Sequence, residues 1–271
     1  MLGRDRPQRL ISIFPDSMSK LIINPLSLSH GGSSILEAME LMQTFVDGFD
    51  DVLGGGIPRG SVVLVCGSPG TMKTSLAFSI AYNNVKNNAS KALYISLEES
   101  SDDLKAVMED MGFTGIDKLD LHILDVGKIR LEHKEEEITK NWLDVLMKYI
   151  EHRVGVNKFD IVVIDSLAAL YSLTKFSNAR RELFHFFGFL KQLHGTVFLI
   201  SEISSGDGKF APFDEDFLSD GVIYLRHYEI GETDVQLRIR CVKLRRRRHK
   251  QGYFALIHEN NRFAITKVIS E

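Results

Sequence analysis

Cysteine is scarce: the 271 residues include two, Cys66 and Cys241. Both lie in strand-like apolar stretches without metal-ligand spacing, which argues against a disulfide scaffold or a zinc site and predicts buried thiols in a reducing compartment. An excess of one charge is also missing. With 33 Lys and Arg against 36 Asp and Glu, the formal charge is −3. Bulk electrostatics therefore give no pull toward nucleic acid or membrane, and any basic surface is local. No run approaches the about 20 apolar residues that span a bilayer. Arg4, Arg6 and Arg9 precede only a short apolar patch broken by Pro15, Asp16 and Lys20, a poor signal peptide. A cytoplasmic protein with no membrane partner is expected. There is no internal repeat. Hydrophobic residues at 44% and charged residues at 25% are ordinary globular values, enough for one large α/β domain plus a tail, or two small domains.

Residues 1–42 lack periodicity and carry scattered Pro, Ser and Gly; they read as a poorly ordered or loosely docked segment, and residues 43–271 as one domain. Translation starting at Met39 or Met42 would omit most of that segment. Aliphatic, β-branched runs predict strands at 62–66, 91–97, 120–126, 160–164 and 196–201. Helical spacing predicts helices at 73–88, 101–111, 136–153 and 177–193, the last burying Leu183, Phe186, Phe187 and Leu190. This alternation builds an α/β fold with a mostly parallel twisted sheet and helices on both faces. After residue 217, strand-like segments at 220–228, 234–244, 252–258 and 262–265, divided by turn signals, predict antiparallel hairpins extending the same sheet. Asn260-Asn261 suits a tight left-handed turn.

One loop carries the strongest chemical signal. Val62–Cys66 runs into Gly67-Ser68-Pro69-Gly70-Thr71-Met72-Lys73-Thr74-Ser75, a strand that ends in glycine and opens a helix. Backbone N–H groups there converge on one spot at the positive end of a helix dipole, a cradle for polyphosphate. Lys73 reaches the outer phosphates and the Thr74 hydroxyl ligates Mg²⁺. Met72 stands where G-x-x-x-x-G-K-[ST] has its second glycine. An ordinary Gly/Pro turn is the plain alternative, and the Lys-Thr register favours ATP.

Hydrolysis also needs a metal-side carboxylate, a base and a positive charge at the transferring phosphate. Asp165, after four aliphatics, is the metal-side candidate, or else a helix cap. Glu98 and Glu99 close strand 91–97; either could orient water, Glu99 slightly favoured, or they could complement a helix dipole. Ser201 and Glu202 end the fifth strand at the same edge, as a phosphate sensor or simple strand termini. The run Lys243-Leu244-Arg245-Arg246-Arg247-Arg248-His249-Lys250 has three readings: a solvated edge-hairpin tip, a nucleic-acid patch, or trans-acting Lys243 and Arg245 aimed at a neighbour's nucleotide. Residue physics alone ranks the solvated tip first.

Gly48-Phe49-Asp50-Asp51-Val52-Leu53-Gly54-Gly55-Gly56-Ile57-Pro58-Arg59-Gly60, followed by a strand and the phosphate loop, resembles the KaiC-type branch of the RecA-like P-loop ATPases. The likeness continues through Glu98-Glu99, Asp165-Ser166, Phe217–Gly221 and Val242–Arg245 with His249, and spans about residues 46–267. It implies a RecA-like core and rings, usually hexamers, with ATP between subunits. It further implies catalytic roles for Glu98 and Glu99, and Lys243 and Arg245 reaching the adjoining subunit's ATP. Met72 departs from the pattern and adds bulk at the loop. Asp216-Phe217 stands where the clock protein's autophosphorylating domain has adjacent Ser and Thr, which argues against self-phosphorylation by that route.

The expected activity is slow conversion of ATP and water to ADP and phosphate by an oligomeric regulatory platform with an unidentified protein partner. The catalytic set is Lys73, Glu98, Glu99, Lys243 and Arg245. One alternative is a catalytically weak, nucleotide-gated binding module. The other is a DNA-associated RecA paralogue, against which the negative charge and the lack of a helix-hairpin-helix module both count.

Overall fold

The computed structural model describes residues 40–128, 141–203 and 210–268. Its elements in chain order are β1 (Leu41–Met42), β2 (Val46–Asp47), α1 (Phe49–Val52), β3 (Ile57–Pro58), β4 (Val62–Gly67), α2 (Lys73–Asn88), β5 (Ala92–Ser96), α3 (Ser101–Asp110), β6 (Leu121–Asp125), α4 (Trp142–Asn157), β7 (Ile161–Asp165), α5 (Leu167–Leu173), α6 (Ala179–Gln192), β8 (Thr196–Glu202), α7 (Glu215–Leu218), β9 (Gly221–Ile230), β10 (Asp234–Leu244), β11 (Phe254–Glu259) and β12 (Arg262–Lys267). The expectation for residues 1–42 lies, up to residue 39, outside the described residues. Leu41–Met42 pair antiparallel with Ile57–Pro58.

Ten strands form one sheet in the order β2-β12-β11-β10-β9-β4-β8-β7-β5-β6. From β9 to β6 all neighbours are parallel. β9 through β12 are joined by antiparallel hairpins that widen the sheet, as expected. The mixture follows from the connections: helical crossovers return each central strand parallel, while tight turns permit only antiparallel pairing. Asn260 and Asn261 take φ of 50° and 63° at the last turn, the left-handed conformation that asparagine tolerates.

β4 shows why the strands read as continuous apolar runs. Val63 and Val65 enter the core shared with α2, while Val62, Leu64 and Cys66 enter the core shared with α4, α5 and α6. Both faces are covered, so no position can be polar until the strand ends. Leu183, Phe186, Phe187 and Leu190 are all buried in α6, whereas Phe184 on the opposite face is 61% exposed. Helix α2 runs over the expected residues. The helix expected at 136–153 is found from Trp142, where the Asn141 side chain accepts the Leu143 N–H; its expected start lies outside the described residues. Helix α5 was not anticipated, because its apolar sequence continues that of β7 without a composition break.

Asp220 ties the hairpin extension to the beginning of β4. Its carboxylate accepts the Val62 N–H at 3.1 Å, Lys191 Nζ at 3.0 Å and Arg245 Nη1 at 3.3 Å. Burial alone would raise its pKa, but the Val62 N–H and the two cations outweigh that and hold the carboxyl below its usual value. A depressed carboxyl stabilises the fold above its unfolded value of about 3.9, and that contribution is lost as pH falls through the lower folded value. Asp220→Asn should therefore destabilise by about 1–2 kcal/mol at neutral pH. In urea titrations it should also flatten the loss of stability below pH ~4.

Candidate nucleotide site

The end of β4 is shaped by a glycine that admits no side chain. A Cβ on Gly67 would sit 2.5 Å from the Leu225 carbonyl oxygen and 2.6 Å from Thr71 Oγ1. Gly70 has φ of 79°, a left-handed turn that turns the loop toward α2. Thr71 Oγ1 donates to the Ser68 carbonyl at 2.7 Å, and Lys73 Nζ donates to the same oxygen at 3.0 Å. Pro69 and Gly70 are exposed, Ser68, Thr74 and Ser75 are half-buried, and Thr71 and Lys73 are buried. The loop is thus a closed turn at the N-terminus of a 16-residue helix, which supplies unpaired N–H groups and the positive dipole end.

Met72 adopts φ of 60° and ψ of 29° as the residue preceding α2, the conformation that glycine adopts without cost. Its side chain packs against the core cluster on the α2 side. The expected departure is therefore a backbone one: methionine holds the glycine conformation at a cost of about 1–2 kcal/mol, partly offset by packing.

Burial pushes the Lys73 ammonium below its usual pKa, opposed by Glu202 first, then Asp165, Cys66 and Glu98. These groups come from four strand ends because β4, β5, β7 and β8 are parallel and in register, with Ser96 beside Asp165 and Gly67 beside Glu202. Asp165 is held by Tyr94 Oη at 2.6 Å, with the Thr74 hydroxyl also in hydrogen-bond reach; burial nonetheless raises its pKa. Tyr94 is a site residue that sequence reasoning missed, since an aromatic inside a strand reads as core and nothing local marks its hydroxyl.

The competing cap readings resolve separately. Ser166, not Asp165, caps α5, accepting from the Ala169 N–H at 3.3 Å and donating to Glu98 Oε1 at 2.9 Å. Ser100 caps α3 by accepting from the Asp103 N–H at 3.1 Å, and Glu98 and Glu99 precede that cap. Both glutamates are exposed. Glu99 has a raised pKa, through partial desolvation of its exposed side chain first and then through Asp165, Glu98 and Asp103. Ser201 is buried, while Glu202 is exposed beside the loop.

The donor set fits ATP with magnesium. Thr74 and Asp165 offer hard oxygens of the kind that ion prefers and would hold it at the loop mouth, where it would supply positive charge to bound phosphate. Among the described residues no three His, Cys, Asp or Glu side chains cluster as a separate metal site.

Lys243 and Arg245 do not join this group. Lys243 Nζ donates to the Asp216 and Ser219 carbonyls, both at 2.7 Å, and Arg245 Nη2 donates to the Phe217 carbonyl at 2.9 Å. Arg245 N donates to the Asp220 carbonyl, whose own N–H bonds Val62 O. Both cations thus sit by the first residue of β4, five residues or about 17 Å along the strand from Gly67. Arg246 reaches Ser61 Oγ at 3.4 Å, and Arg247 lies against Gly54 and Gly55. Distant segments thus supply carbonyl and glycine partners to part of the basic run, while Arg245, Arg246, Arg248 and Lys250 stay exposed to solvent.

A phosphate loop on a doubly covered parallel sheet, with a carboxylate at the end of a second strand, defines a P-loop nucleotide-binding domain. The KaiC ATPase family profile matches residues 42–267, and the chain belongs to that family. It is 31% identical over 231 residues to the circadian clock oscillator protein KaiC 1 of Synechocystis sp., covering 82% of this chain and 44% of that one. It is 31% identical over 223 residues to KaiC of Thermostichus vulcanus, covering 80% and 42%. The chain thus spans less than half the length of these curated relatives. A KaiC-like protein of Pyrococcus horikoshii OT3 superposes with a TM-score of 0.71 at 23% identity, over 84% of this chain and 99% of the other, which identifies the shared RecA-type fold. No helix among the described residues is long and apolar enough to cross a membrane.

Two substitutions separate backbone from side-chain effects in the loop. Met72→Gly should be more stable than Met72→Ala by about 1 kcal/mol in thermal melts, since both lose the packing and only alanine keeps the left-handed penalty. Gly67→Ala should cost roughly 1–3 kcal/mol, because its new methyl meets a backbone carbonyl that cannot move aside.

Proposed function

We propose that this chain is a slow ATPase whose active sites are completed between copies of itself, and that nucleotide state sets the assembly's contacts as a regulatory platform. One observation carries the reading: the cradle group and the two candidate fingers occupy opposite ends of β4, so one chain cannot bring both to one nucleotide. Residues 67–75 hold the phosphates, and Lys73 neutralises the outer ones. Thr74 and Asp165 hold the magnesium ion, which supplies positive charge to the phosphate oxygens. Glu99 orients the attacking water, and Glu98, fixed by Ser166, sits beside it. Lys243 and Arg245 act on the ATP of an adjoining copy, in a ring of the kind the family resemblance implies.

The carbonyls of Asp216, Phe217 and Ser219 and the carboxylate of Asp220 pre-position the two fingers, so little ordering remains to be done on assembly. Burial and the nearby Arg245 lower the Lys243 pKa. Its charge lies in a site where an incoming polyphosphate gains more than in water. The cytoplasm is the proposed compartment, and a clock role is not proposed. Asp216-Phe217 offers no hydroxyl for self-phosphorylation at that position.

Lys73→Ala and the double variant Lys243→Ala/Arg245→Ala should each reduce phosphate release at least about 100-fold. Mixing the two inactive proteins should restore part of the activity, since sites pairing an intact cradle with intact fingers re-form. Specific activity should also rise with protein concentration. Additive, unrestored inactivity in the mixture would rule out sites shared between copies. If assembly by light scattering depends on ATP while no phosphate is released, the chain is a nucleotide-gated binding module.

A further inference from the structure

The face of the sheet that carries Val62, Leu64 and Cys66 continues past β4 onto β9 and β10. There the pattern changes from aliphatic to arginine and tyrosine. Register places Tyr224 beside Cys66 and opposite Arg240, Arg226 opposite Arg238, and Tyr228 opposite Gln236. The side-chain period of two therefore puts all of these on one face. The guanidinium of Arg238 lies 3.5 Å from the Tyr228 ring centre, that of Arg226 lies 3.9 Å from the Tyr253 ring, and that of Arg240 lies 5.0 Å from it.

Among the described residues these three charges lack counter-ions: no carboxylate is within ion-pair distance of Arg226, Arg238 or Arg240. Arg238 bonds only the neutral Gln236, at 2.9 Å, although it is 9% exposed. The Nε atoms of Arg226 and Arg240 are shielded from solvent without a hydrogen-bond partner. Like charges crowded on a half-buried surface repel one another, and buried charges are ordinarily paired. The cluster is also remote from the run Arg246–Arg248, which is docked near Ser61 and Gly54 at the other end of β10.

We propose that this arginine–tyrosine face binds single-stranded nucleic acid, with phosphates on the guanidinium edges and bases stacked on the outer planes of the ring-supported guanidiniums. Charge complementarity calls for a polyanion. The choice among polyanions rests on flatness: arginines laid on tyrosine rings present planar π surfaces, which bases use and acidic peptides do not. Every cation here is arginine and none is lysine, as stacking recognition requires. Tyr228 remains 41% exposed at the outer side. This inference is independent of ATP hydrolysis, so the test uses nucleotide-free protein.

Fluorescence anisotropy of a labelled oligothymidylate titrated with the full chain, between about 50 and 200 mM salt, tests it. Wild type should bind in a salt-sensitive manner. Arg226→Gln/Arg240→Gln should bind at least about tenfold more weakly, with a log K against log salt slope shallower by about 1.4, the value for two lost single-strand phosphate contacts. Arg226→Lys/Arg240→Lys, which keeps charge without the flat stack, should weaken binding several-fold and leave the slope unchanged; it serves as the readout should the glutamine pair fail to fold. Arg246→Gln/Arg248→Gln should bind as wild type does. Absence of salt-sensitive binding by the wild type would overturn the proposal, as would a lysine pair indistinguishable from wild type. So would loss of binding in the Arg246/Arg248 pair alone, or tighter binding of polyglutamate than of the oligonucleotide, which would identify an acidic protein segment as the occupant.

Discussion

Everything at the nucleotide site depends on β4 being buried on both faces. Its alternating side chains commit it to two cores at once, so it can neither slide nor twist without disrupting helices on either side. The polypeptide leaves this rigid strand at Gly67, and the space there is so tight that a single Cβ would strike the neighbouring Leu225 carbonyl. A loop anchored in this way has its amides aligned before any ligand arrives, and that is what an electrostatic cradle needs.

The same strand separates functions by length. Parallel neighbours deliver Ser96, Asp165 and Glu202 to the end where the loop begins, because parallel strands finish at one edge. At the opposite end Asp220 clamps Val62, Lys191 and Arg245 together. Lys243 and Arg245 are held by the carbonyls that follow α7. That short helix is itself fixed through buried Glu215, which accepts from the Tyr171 hydroxyl and from the Phe213 N–H. The loop with its carboxylates and the clamp that holds Arg245 thus sit at opposite ends of one rigid strand.

Polar groups near the site serve more than one neighbour. Ser166 follows β7, caps α5 and donates to Glu98. Tyr94 packs against Phe78 in the core while its hydroxyl holds Asp165. Shared use of this sort makes the carboxylates' positions a consequence of core packing, and links loop function to fold stability.

The sequence by itself determined the alternation of strands and helices, the phosphate loop, the carboxylates at strand ends and the hairpin extension. All of these are local patterns: period-two or helical spacing, glycines at a strand end, asparagines at a turn. It could not decide whether Asp165 or Ser166 caps a helix, nor reveal Tyr94 as a partner of Asp165, because both depend on which strands become neighbours. The contacts that anchor Lys243, Arg245 and Arg247 were equally hidden, because their carbonyl and glycine partners come from distant segments. The arginine–tyrosine face exists solely in three dimensions, since Arg226, Arg238 and Tyr253 come from three segments that the sheet register aligns. Tertiary structure decided these points because hydrogen-bond partners and stacked rings are chosen by proximity in space, which spacing along a chain does not encode.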